Sequence, residues 1–332
     1  MEQLPVRALP GQQPGPVHGA GRPELLPGRV QRGLRGAGGR RRDRRAAGRA
    51  DLRADPAIPG GRPLGRRRQG IGGRAITRVL ITGAAGRIGS VLRERLRGQV
   101  PLRLLDIRTM PAPADGEELV QADIRDAGAI SEAMAGCTAV VHLAGIPSEV
   151  GFDELLDTNI RGTYQVLEAA RHSEACRRVL IGSSNHVTGF YPSDERISAV
   201  APPRPDGLYG ASKAYGEVLG RLYHEKHGLE VVAIRIGSFA PRPTSPRHAH
   251  TWISPRDMAQ LVMRCLEAPD VGWLVVYGTS DNNRSYWDDR DVWRRIGYTP
   301  QDSANGILDG AGEGAGAFQG GQLARLHPRW KD

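Results

Sequence analysis

The sequence predicts an α/β fold: a Rossmann-type, doubly wound parallel sheet with a small C-terminal substrate cap. Three observations carry that expectation. From residue 77 onward, short runs rich in Val, Ile and Leu alternate with longer helical stretches. The runs are apolar nearly throughout, as strands covered on both faces are, and do not alternate in polarity. The first of them opens directly into a glycine-rich turn, Thr82-Gly-Ala-Ala-Gly-Arg-Ile-Gly89.

Taken in order, residues 78–82 read as a buried strand and 86–96 as the helix that follows it. Residues 102–106 give a second strand and 119–123 a short third, with a helix around 130–134. Residues 139–143 make the fourth strand, and 155–171 a long helix with Tyr164, Leu167 and Ala170 on one side. The fifth strand covers 178–182, a helix runs from Tyr209 to about Lys226, and 231–235 is the sixth strand. Beyond residue 237 the rhythm loosens. All five tryptophans (Trp252, Trp273, Trp287, Trp293, Trp330) and a glycine-rich stretch, 310–321, fall there. We expect 237–332 to form the cap on the substrate side of the cleft, within a single domain spanning 77–332.

The net charge of +10 over 332 residues would ordinarily suggest a nucleic-acid or membrane-surface partner. Its distribution argues otherwise. Residues 1–76 hold 17 Arg, no Lys and 5 acidic residues, and the rest of the chain is close to neutral. This leader also carries 16 Gly and 9 Pro and almost no apolar periodicity, so disorder is expected. Its arginine runs leave three readings: a nucleic-acid-binding arm, a targeting segment, or a stretch without function that precedes the true start. We favour the last and expect no nucleic-acid partner. No run of 18 apolar residues exists to span a membrane. Cys137, Cys176 and Cys265 form no ligand spacing, so they read as reduced thiols of a cytoplasmic protein, with no metal site.

Gly83, Gly86 and Gly89 end a strand and open a helix, the context that makes a glycine pattern a phosphate site. The turn needs left-handed backbone, and the first helical residues, Arg87, Ile88 and Gly89, supply N–H groups at a positive dipole end. Asp106 ends the second strand, where an acid would bind the ribose diol and repel a 2′-phosphate. This favours NAD over NADP, with Arg108 nearby weighing the other way. Asp123 and Ile124 would meet the adenine; Leu143, Ala144 and Gly145 would face the nicotinamide ribose. Asn159 reads equally as a helix-capping residue and as one that orders the site.

Tyr209 and Lys213 stand four apart on a helix, one turn from each other on one face. A phenol with an ordinary pKa of about 10 becomes a useful base when an ammonium group beside it stabilises the phenolate. Ser184, 25 residues earlier at a strand end, could hydrogen-bond the same substrate hydroxyl that Tyr209 deprotonates. Together they indicate oxidation of a CH–OH group, with Lys213 also touching the nicotinamide ribose. Arg247, in the loop after the sixth strand, is a candidate for binding a carboxylate. Asn185, His186 and Ser238 are candidates for ring hydroxyls, although His186 also reads as a histidine satisfied by backbone.

These motifs resemble the extended short-chain dehydrogenase/reductase superfamily, of the NAD-dependent epimerase/dehydratase type, which uses the G-x-x-G-x-x-G spacing. Within it the chain is similar to the bacterial uronate dehydrogenases. The matches are Ser183-Ser-Asn-His186, Gly189-Phe-Tyr-Pro192, Arg204-Pro-Asp-Gly-Leu-Tyr-Gly210, Arg235-Ile-Gly-Ser238, Arg247, Thr251-Trp252 and Phe318-Gln-Gly-Gly321. The resemblance implies oxidation of galacturonate or glucuronate at the anomeric carbon to the aldarolactone, and a homo-oligomer. One departure stands out. The family carries a substrate-touching serine after the fourth strand, and the register places Pro147 there; adjacent Ser148 is expected to replace it. The enzymatic rivals are a sugar-nucleotide epimerase or dehydratase, for which the 123 residues after Tyr209 make a small C-terminal region, and another NAD-dependent sugar or polyol dehydrogenase. An NAD-binding regulator would have no need of Ser184, Tyr209 and Lys213.

Overall fold

A computed structural model describes residues 76–307 and 316–325. The expectations for the leader up to residue 75 and for Trp330 lie outside these residues. The chain begins with β1 Val79–Thr82, α1 Arg87–Leu96, β2 Leu102–Asp106, β3 Glu117–Gln121, α2 Ala127–Met134 and β4 Ala139–His142. A short α3, Phe152–Leu155, runs into a π-helical segment, Leu156–Arg161, and on into α4 Gly162–His172. There follow β5 Arg178–Ser184, a 3₁₀ turn Asn185–Thr188, α5 Leu208–His227 and β6 Glu230–Ile236. The last part holds β7 Ser238–Phe239, α6 His248–Thr251, β8 Trp252–Ile253, α7 Pro255–Glu267, β9 Trp273–Gly278 and α8 Arg290–Ile296.

Seven strands form one sheet in the order β3-β2-β1-β4-β5-β6-β9, and every neighbouring pair is parallel. β7 and β8 make a separate two-stranded ribbon. Alternation along the strands divides the core into two layers. Val79, Ile81 and Leu180 pack with Leu92 and Leu96 of α1 and Leu261 and Cys265 of α7. Leu80, Val179 and Ile181 face the other way, onto Ile130 and Met134 of α2 and Val166 and Leu167 of α4. Both faces of each central strand are therefore buried, which is why these strands carry so few polar residues. Truncating a fully buried leucine such as Leu180 to alanine costs about 2–5 kcal/mol.

Four details differ from the sequence reading. β3 starts and ends two residues earlier than expected, because its first residue is a buried glutamate. Glu117 is held by Arg93 and Arg97, a pairing that an apolar pattern does not reveal. Burial would raise its carboxyl, yet these arginines hold it down to about 2. Tyr164 is exposed; the buried face of α4 is Thr163, Val166, Leu167 and Ala170. β5 extends to Ser184, so alternation turns Ser183 toward Glu217, 2.6 Å away, and leaves Ser184 for the opposite side. Finally, the α/β rhythm continues beyond residue 237, since α7 and β9 supply another helix and the seventh strand. Ser254 accepts from Asp257 N and Pro255 takes the first helical turn, a start signal for α7.

Candidate active site

A cleft of about 1150 Å³ opens at the carboxyl ends of the strands, where chain order reverses between β1 and β4. One half of it is built from backbone. Gly83 has φ +71°, and a Cβ there would lie 2.7 Å from Ala144 N. At Gly89 a Cβ would lie 2.3 Å from the Gly83 carbonyl oxygen. A side chain at Gly83 would push the turn and the β4 loop apart, and one at Gly89 would push α1 off the turn itself. Gly86 is the N-cap of α1, and no side chain caps the helix, so the amides of Arg87, Ile88 and Gly89 face the cleft. That is a cradle for a pyrophosphate. Arg87 reaches across to donate to the Phe239 carbonyl at 3.0 Å.

Asp106 stands buried at the end of β2 and accepts from Ala85 N at 2.9 Å and from Arg108 N at 2.9 Å. Burial works to raise its carboxyl, but the Arg108 side chain and these two amides hold it below the ordinary value. It is a fixed carboxylate, suited to a ribose diol. Asp123 and Ile124 line the same end, two residues past β3, with Asp123 held low by Arg125. Leu143, Ala144 and Gly145 line the middle. Asn159 is neither a helix cap nor part of the lining. It sits buried in the π segment, where Oδ1 accepts from Ile146 N at 2.8 Å and Nδ2 donates to Ser212 Oγ at 3.0 Å. It orders the β4 loop from behind. His142 is held neutral at about 3 by burial and bridges Thr82 and Thr163, joining the end of β1 to the first turn of α4.

Ser184, Tyr209 and Lys213 meet in the centre of the cleft. Lys213 is one turn along α5 from Tyr209, with its ammonium 5.9 Å from the ring centroid and donating to Gly182 O at 2.9 Å. Burial pushes that ammonium down to about 8. The expected depression of Tyr209 by Lys213 is not what this geometry gives. Burial pushes the phenol above its ordinary value, Ser184 pulls it down, and Asp206 pushes it up again. Removal from water outweighs the local charges here.

The other half of the cleft is built from side chains. Arg247 donates through Nη1 to Ser238 Oγ at 3.1 Å, and through Nε and Nη2 to the Gln319 carbonyl at 3.2 and 2.9 Å. Asn185 orients its amide oxygen to accept from Arg247 Nη2 at 2.6 Å, while its nitrogen donates to Ile236 O at 3.1 Å. All these partners are neutral, and among the described residues Arg247 forms no ion pair. Burial pushes its guanidinium below the ordinary value. His186 stands edge-on to Tyr209, with ring centroids 5.9 Å apart. Its Nδ1 lies 2.7 Å from Asp206 Oδ2. This carboxylate fixes the ring orientation and leaves Nε2 without a protein partner among the described residues.

Pro147 and Ser148 are both exposed, and of the two only Pro147 lines the cleft. Three contributors carried no local signal. Glu149 accepts from Leu208 N at 2.8 Å and Tyr209 N at 3.0 Å, tying the β4 loop to the first turn of α5. Asp206 and Gln319 sit inside the quoted motifs, but their roles depend on partners 20 and 72 residues away. No cluster of metal-binding side chains occurs among the described residues.

A profile of the NAD dependent epimerase/dehydratase family matches residues 79–305. A uronate dehydrogenase of Pseudomonas putida is 46% identical over 229 residues, which cover 68% of this chain and 85% of that protein. A crystal structure of glucuronic acid dehydrogenase from Chromohalobacter salexigens aligns with TM-score 0.72 and 39% identity, covering 77% of this chain and 99% of that one. A mutant of uronate dehydrogenase from Agrobacterium tumefaciens, solved in complex with NAD, aligns with TM-score 0.71 and 39% identity, covering 75% and 97%.

Proposed function

The chain belongs to the NAD-dependent epimerase/dehydratase family, and we propose that it oxidises a hexuronic acid, galacturonate or glucuronate, at the anomeric carbon to the aldarolactone. The observation that carries this reading is Arg247. A guanidinium that is partly buried and lines the cleft has only neutral hydrogen-bond partners and no ion pair among the described residues, the nearby Asp206 carboxylate being engaged by His186. A substrate carboxylate would supply the missing charge. A neutral hexose would not.

Bound NAD supplies the hydride acceptor. The glycine turn and the α1 amides hold its pyrophosphate, and Asp106 accepts from the adenosine ribose hydroxyls. Tyr209 Oη takes the proton of the anomeric hydroxyl, and Ser184 donates a hydrogen bond to the same oxygen. As the hydride departs from the anomeric carbon, that oxygen becomes the lactone carbonyl. Arg247 faces the carboxylate, while Asn185, Ser238 and His186 Nε2 contact ring hydroxyls and fix which carbon meets Tyr209. Pro147 offers no side-chain hydrogen bond where the family's serine would make one.

Two further assignments follow. Leu208, Tyr215, Val218 and Leu222 stand exposed along one face of α5, which we assign to contact with a second copy of the chain. No helix among the described residues is long and apolar enough to cross a membrane, and we place the protein in the cytoplasm with its sugar acid as the only partner besides NAD and itself. NADH formation measured with galacturonate, glucuronate, neutral hexoses and UDP-sugars tests the reading. Turnover is expected with the uronates; turnover of neutral hexoses or UDP-sugars with no response to uronates contradicts it.

A further inference from the structure

The segment 316–325 returns to the cleft after the last helix, and three of its residues pack against Arg247 or against the Asp206 carboxylate that holds His186. Gln319 is completely buried, and every polar group of its side chain is used. Oε1 accepts from Trp287 Nε1 at 2.9 Å; Nε2 donates to Pro192 O at 3.2 Å and to Glu195 O at 2.8 Å. Its backbone N donates to Tyr191 O at 2.9 Å. This leaves the Gln319 carbonyl fixed in space, and it receives two of the N–H groups of Arg247. Gly321, at φ +66°, lets the Arg247 stem pass: a Cβ there would lie 2.9 Å from Arg247 Cδ. Gly320 leaves room for the Asp206 carboxylate, which a Cβ would overlap, and so for the bond from Asp206 to His186.

A long arginine side chain has many rotamers, and holding it in one costs entropy unless its planar fork is fixed on more than one edge. Ser238 and Asn185 hold the outer nitrogens of Arg247; the Gln319 carbonyl alone holds Nε and one outer nitrogen together. We propose that residues 318–321 act as a clamp that positions Arg247 for the substrate carboxylate, with the buried Gln319 amide as the positioning residue. The clamp rests on the reading of the substrate as a sugar acid. Gln319 touches neither substrate nor cofactor. It acts through Arg247, and the specificity of the enzyme thus depends on a side chain anchored outside the cleft, to Trp287 and to the loop after β5.

The test is a double-mutant cycle on the full-length protein with Gln319→Met and Arg247→Ala, following the KM for galacturonate and the Kd for NAD. Gln319→Met keeps the volume and removes the amide. It is expected to raise the uronate KM about tenfold, the effect of losing one hydrogen bond to a charged group, while NAD binding stays unchanged. In the Arg247→Ala background the same substitution is expected to add less than about twofold, because its target is gone. An equal factor in both backgrounds, or an unchanged KM with NAD binding intact, overturns the clamp. If Arg247→Ala itself leaves the uronate KM unmoved, the sugar-acid reading fails and the clamp falls with it. If Gln319→Met does not fold, Trp287→Phe carries the test, since it removes the donor to Gln319 Oε1 and keeps an aromatic ring against Tyr277. A rise of about threefold in the uronate KM is then expected, and no change overturns the proposal.

Discussion

The two halves of the cleft are made of different material. The cofactor half is backbone: a left-handed Gly83, a Gly89 with no room for a Cβ, uncapped amides at the start of α1, and one fixed carboxylate, Asp106. All of it lies within residues 83–106. The sugar half is side chains drawn from three separate segments, Asn185 and His186 after β5, Ser238 after β6 and Arg247 before α6, with Arg247 held by the backbone carbonyl of Gln319 near the end of the described chain. Backbone that approaches a ligand closely tolerates no added atom. A fork of side chains tolerates change but depends on remote partners to stay in register.

The largest expected break sets the two halves against each other. Tyr209→Phe removes the proton acceptor where they meet, so turnover falls on the order of 10²–10⁴-fold while NAD binding, measured by fluorescence titration, is kept. Gly89→Ala does the reverse. Forcing a methyl against the Gly83 carbonyl weakens NAD binding about 10–100-fold, the equivalent of overpacking by 1–3 kcal/mol. Were Gly89→Ala to bind NAD normally, the cofactor half would not be the rigid cradle described above.

A smaller effect sharpens the role of Lys213. Burial lowers Lys213 to about 8 and raises Tyr209 above its ordinary value, so the pair gives up its first proton near pH 8. The singly deprotonated pair includes the tautomer with a Tyr209 phenolate beside a Lys213 ammonium, and that is the form able to take the substrate proton. Hence kcat/KM is expected to rise with pH through about 8 and then level. In Lys213→Met the first proton must come from Tyr209 itself, and the rise moves to higher pH. An unshifted profile would place the titrating group elsewhere.

What the sequence reveals follows the same division. The sheet, the glycine turn and Asp106 are local features: a strand, a turn and a strand end, each readable from a few adjacent residues. The Tyr209–Lys213 pair is local too, being one helical turn. β3 was misplaced by two residues because Glu117 is buried through arginines some 20 residues away. Ser148 lies next to Pro147 but not in the cleft lining, and a loop has no period from which that can be read. Asp206 and Gln319 act through contacts across 20 and 72 residues, so the motifs containing them were visible and their roles were not. The continuation of the fold through α7 and β9 did leave a signal in Ser254 and Pro255. It was outweighed by the tryptophans and glycines around it.

The central claim is that an Arg247 without an ion pair among the described residues, beside Ser184 and Tyr209, makes this enzyme selective for sugar acids. The most direct measurement is the ratio of kcat/KM for galacturonate to that for galactose, in the wild type and in Arg247→Ala. The account predicts a large ratio that collapses on substitution by about two orders of magnitude, as expected when a charge-assisted pair to a carboxylate is removed. A wild type that oxidises galactose as readily as galacturonate, or a ratio that survives the loss of Arg247, would contradict it.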